Sequence, residues 1–124
     1  MDNTEILIKV IKQQAEVFLL DAREFFPFGT YINSENKVVP FSAYIEDADD
    51  RPESQPLIDL LEKTIQTKIN NREGVIGALA FDVFINDEQG RFDGMIIRII
   101  ENDILVERRF KYTIHENHVD FTDC

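Results

Sequence analysis

Asp82 is the side chain of this 124-residue chain that stands most apart from its surroundings. It is the one charged residue in the otherwise apolar run Val75 to Ile85. Counting from the turns places it. A two-residue turn at Asn102-Asp103 pairs Glu101 with Ile104, Arg98 with Glu107 and Ile97 with Arg108. A loop at Asp87 to Gly90 pairs Asn86 with Arg91, Asp82 with Met95 and Ala80 with Ile97. Asp82 and Arg108 then share one side of a sheet with Met95, Ile97, Ile99, Ile104 and Phe110. A carboxylate and a guanidinium among apolar neighbours could line a ligand pocket, with Asp82 as general base or acceptor and Tyr112 and Tyr44 nearby. The plainer reading is a structural ion pair, or an Asp at the sheet margin reaching water, and the sequence favours it. Arg98 with Glu107 reads as a solvated cross-strand pair contributing under ~1 kcal/mol.

The segment His115-Glu116-Asn117-His118-Val119-Asp120 invites a metal reading. Paired histidine ligands usually stand four apart on a helix or at fixed spacing from cysteines, whereas Asn117 is turn chemistry. The expectation is a solvated hairpin tip with no metal. The acidic run Glu46, Asp47, Asp49 and Asp50 lacks the central Gly and closing Glu of an EF-hand and reads as a solvated loop. Phosphate loops, nucleophile elbows and dinucleotide fingerprints are missing, Cys124 has no electropositive helix start beside it, and no cofactor is expected.

Charge narrows the partners. Thirteen basic side chains stand against twenty-four acidic ones, a formal net charge of -11. That balance disfavours nucleic acid and anionic membranes, which need clustered Lys and Arg. A lone cysteine permits no internal disulfide, and the N-terminal residues lack a signal-peptide pattern, so a cytoplasmic setting is expected. A hydrophobic fraction of 44% with ten Phe supports one packed domain over residues 1–124.

Periodicity supplies the elements that would hold these residues. A helix is predicted from about Thr4 to Glu24, capped by Asp2 with Glu5, its stripe running Leu7, Ile11, Ala15, Phe18, Ala22, Phe25. Strands at about Phe28 to Ile32 and Lys37 to Ile45 follow, the second at an edge or next to a bulge because Pro40 cannot donate to a ladder. A second helix spans about Pro56 to Asn70. Val75 to Ile85 is apolar on both faces and therefore central. Arg91 to Glu101, Ile104 to Ile114 and Val119 to Phe121 complete the order αββαββββ. Connections this short make the sheet antiparallel. The expected fold is α+β, a curved antiparallel sheet with two helices on one face. This order resembles that of nuclear transport factor 2-like and cystatin-like folds and, less closely, profilin- or roadblock-type domains. The resemblance lies in element order alone and implies no functional residue.

Two helices on one face would leave the other open. Val75, Leu79, Phe81, Val83, Phe92, Ile96 and Ile100 would then form an exposed apolar patch, and such patches mark interfaces. The leading expectation is a non-catalytic binding or protein-interaction module, homodimeric through that face. A second is a small enzyme or ligand carrier with a pocket near Asp82 and Arg108. The third is an acidic antagonist of a basic protein, as small immunity proteins are.

Overall fold

The computed structural model describes residues 2–42 and 54–124. The elements are α1 (Asn3–Ala22), β1 (Phe28–Asn33), β2 (Val38–Phe41), α2 (Ser54–Asn70), β3 (Gly74–Asp87), β4 (Gly90–Glu101), β5 (Ile104–Ile114) and β6 (Val119–Asp123). The six strands form one curled antiparallel sheet in the order β2-β1-β3-β4-β5-β6. The α+β class and the element order are as expected. No helix among the described residues is long and apolar enough to cross a membrane.

The sequence explains the local geometry. Asp2 accepts the Glu5 N–H at 2.9 Å and caps α1, and Arg23 ends the helix in the left-handed region at φ 62°. The buried side chains of α1 are Leu7, Ile8, Ile11, Ala15 and Leu19. Its stripe thus follows the four-residue row through Leu19, leaving Phe18 and Ala22 exposed. Helix α2 buries Leu57, Ile58, Leu61, Ile65 and Ile69, and Arg72 just beyond it takes the left-handed region at φ 61°.

Register is as the turns predict. Asp82 pairs with Met95, Ala80 with Ile97, Asn86 with Arg91, Ile97 with Arg108 and Glu101 with Ile104. Both hairpins close on two residues, Glu88-Gln89 and Asn102-Asp103, the latter with Asn102 at φ 51°.

The helices, however, lie on opposite faces. Leu7, Ile11, Ala15 and Leu19 of α1 pack with Ile76, Ala78, Ala80, Met95, Ile97 and Phe110. Ile58, Leu61 and Ile65 of α2 pack with Leu79, Phe81 and Ile100, the alternate residues of the same strands. The expectation of two helices on one face therefore gives way. A central strand apolar on both sides needs cover on both, and α2 supplies it on the face opposite α1. Gly77 permits the close approach: a Cβ there would stand 2.6 Å from Ile65 Cγ2.

Gly77→Ala should accordingly cost about 1–3 kcal/mol by overpacking. In an Ile65→Ala background the same change should cost distinctly less, since the two sites couple through one contact. Urea unfolding of the four proteins of this cycle measures both; additive effects would place α2 elsewhere.

Candidate functional site

Asp82 and Arg108 share the α1 face, as register requires, but each has another partner. Tyr112 donates its hydroxyl to Asp82 Oδ1 at 2.7 Å, bridging β5 and β3 across β4. Arg108 binds Asp123 Oδ1 on β6 through Nη2 at 3.1 Å. Burial pushes the Asp82 carboxyl above its ordinary value; the Tyr112 bond pulls it back and the Asp93 charge adds to the rise. Tyr112 is held protonated, first by burial and then by its bond to Asp82. The pair is a donor and an acceptor satisfying each other. Two depressions flank α1, one lined by Thr4, Ile99, Glu101, Ile104 and Val106, the other by Glu5, Ile8, Lys9 and Lys12. Arg108 lines both, and neither Asp82 nor Tyr112 lines either. Tyr44 lies outside the described residues, as does the acidic run Glu46 to Asp50.

The face expected to be open is largely occupied. Leu79, Phe81 and Ile100 are buried beneath α2, and Val83 and Ile96 pack against the same cluster. Phe92 is partly buried, with the Lys111 ammonium 4.1 Å from its ring centre. Val75 alone of the seven stays exposed. The physical reason is the crossing of α2 already described.

What remains open lies one strand away. Strand β5 has eleven residues and β6 five, and their register covers only Phe110 to Ile114. The Cys124 N–H reaches the Arg109 carbonyl at 3.2 Å, and the His115 N–H reaches the His118 carbonyl at 2.8 Å. Odd-numbered residues of β5 thus turn their backbone groups outward, while even-numbered ones face β4. Leu105 and Glu107 consequently point N–H and C=O groups away from the sheet, with no strand of the described residues alongside. Beside this edge Ile104 is 60% exposed, Leu105 49% and Val106 47%. Ile104 and Val106 project on the α1 face and Leu105 on the opposite one, so the edge is apolar on both sides. Two of its charges are paired within the chain: Glu107 with Arg98 at 2.9 Å and Arg108 with Asp123.

The other rims of the sheet are guarded in part. Outer strand β2 has four residues, and Pro40 stands on its outward side. The outward N–H of Val119 on β6 is taken by Glu16 of α1 at 2.9 Å. The open stretch of β5 was missed from sequence although a signal existed: three consecutive apolar residues after a tight turn, facing a following strand too short to cover them. Comparison with protein-family models, curated proteins and solved structures finds no match to this chain.

A carboxyl with a raised pKa costs stability when ionised. That cost is absent below the ordinary value of 3.8 and grows as pH rises through the raised value. Asp82→Asn removes the charge and keeps an acceptor for Tyr112. Its stability relative to the parent should therefore rise as pH passes from below 3.8 through the raised value and then level off, as read by urea unfolding. A gap that stayed constant or narrowed would contradict the buried placement of Asp82.

Proposed function

We propose that this chain is a protein-interaction module that associates with a second copy of itself through the open edge of β5. The observation that carries this reading is the backbone at Leu105 and Glu107, unpaired on its outer side among the described residues and flanked by three exposed apolar side chains. An exposed, apolar, unguarded edge is a template for strand addition, and native sheets otherwise blunt such edges.

The edge is self-complementary in one register. A two-fold axis normal to the sheet makes the two β5 strands antiparallel and keeps like faces together, so even residues pair with even and odd with odd. With Val106 opposite its own copy, Leu105 pairs with Glu107 of the second copy, and both offer outward backbone groups. Four inter-chain hydrogen bonds result. Ile104 then lies opposite Arg108, and the open stretch ends there, since Cys124 already bonds the Arg109 carbonyl. Shifting by one pair sets Glu107 against Glu107 in one direction and Asp103 against Glu107 in the other. Avoidance of like charges across the seam therefore selects the first register. The large net negative charge opposes association at long range, but exposed charges more than about 8 Å apart are screened at physiological salt.

Sedimentation equilibrium at micromolar concentrations should show a dimer. Val106→Glu and Val106→Lys should each give folded monomers, because like charges face across the axis, and an equimolar mixture of the two should dimerise again. A monomeric parent protein, or variants that dimerise unchanged, would overturn the reading. Monomeric variants that fail to combine would overturn the register.

A further inference from the structure

The far end of the β5–β6 hairpin brings together side chains that sequence spacing left apart. His115 and His118 form the closing pair of the hairpin, joined by the His115 N–H to His118 carbonyl bond at 2.8 Å. Asp120 pairs with Thr113, one step further along the same face. The pleat therefore sends His115, His118 and Asp120 to one side, opposite the side that carries Tyr112 and Val119.

Their donor atoms converge. His115 Nε2 stands 2.8 Å from Asp120 Oδ2, and His118 Nε2 stands 3.7 Å from Asp120 Oδ1. One ligating atom from each residue lies within 4.8 Å of the others. The two imidazoles stack with centres 4.4 Å apart and planes 16° from parallel. Asn117 Oδ1 sits 3.0 Å from His118 Nδ1, where it can accept the ring N–H. That tautomer leaves the Nε2 lone pair turned toward Asp120, which is the arrangement a histidine ligand takes when an outer partner fixes its ring.

We propose that His115, His118 and Asp120 form a binding site for a borderline first-row divalent cation of the zinc class. Tetrahedral ligands at ~2.1 Å from zinc stand about 3.4 Å from one another; the histidine-to-carboxylate separations lie on either side of that distance, and binding turns the two stacked rings toward a common point. Two neutral imidazoles and one carboxylate suit zinc, cobalt, nickel or copper, whereas all-oxygen sites suit magnesium and calcium. The side chains are 41%, 53% and 64% exposed, so the remaining coordination positions open to water. Hairpin closure supplies the preorganisation: the backbone register holds two ligands opposite each other before the cation arrives. The site is separate from the open edge at Leu105 and Glu107 and stands whether or not the chain dimerises.

Calorimetric titration of the full chain with zinc chloride tests this directly, with the visible absorption of added cobalt chloride reporting ligand geometry. Saturation at one zinc per chain is expected, with no competition from magnesium. His118→Gln and Asp120→Asn should each weaken zinc binding at least tenfold while leaving the circular dichroism spectrum unchanged, and Cys124→Ser should leave it intact. No saturable zinc binding would overturn the proposal. Binding that survives His115→Gln with His118→Gln, or that disappears with Cys124→Ser, would overturn it equally, by placing the cation elsewhere.

Discussion

The double-sided burial of β3 governs this structure. From Ile76 to Phe81 every residue of the strand is buried, so neither face can be left to water. Ala78 and Ala80 keep one face low enough for α1, and Gly77 admits Ile65 of α2 to the other. Each apolar residue taken fully out of water contributes about 1.5–3 kcal/mol, and that gain has to exceed the entropy cost of ordering two helices and six strands. A strand polar on one side would have made a two-layer fold with one face open. This one makes three layers, with the sheet in the middle.

Covering the centre leaves the margin thin. Helix α2 packs chiefly on β3, with smaller contacts to β1 and β4, and α1 reaches across to β6 through Glu16 and Val119. The first half of β5 lies between these two zones of cover. Its backbone is paired on one side only, and its apolar side chains project on both faces. Where β2 and β6 carry a proline and a capping carboxylate, this stretch carries Glu107 and Arg108, both paired within the chain. The same economy of cover that makes the core explains why the open edge falls where it does.

Much of this was legible in the sequence. Strand registers were readable because turn length fixes pairing and the pleat then fixes sidedness, so Asp82 opposite Met95 and Ile97 opposite Arg108 followed by counting, although the loop counted as four residues, Asp87 to Gly90, closes on two. Helix placement was not readable. Periodicity shows which side of a helix is apolar, but it does not say which side of a sheet that helix will meet. The consequence reached the interface: Leu79, Phe81 and Ile100, expected on an open face, are core. The Asp82–Tyr112 bond escaped for a related reason, since it spans two strands and depends on the curl of the sheet as well as its register. His115, His118 and Asp120 escaped because helical spacing was the template applied, whereas a closing hairpin pair brings histidines three apart in sequence face to face.

The most direct test of the open edge is residue-resolved backbone hydrogen exchange at two protein concentrations. In dilute solution the Leu105 and Glu107 amides should exchange rapidly, while those of Val106 and Arg108, which face β4, should be protected. Raising the concentration should slow exchange at Leu105 and Glu107 and leave Val106 and Arg108 unchanged. Exchange at Leu105 and Glu107 that did not depend on concentration would contradict the account.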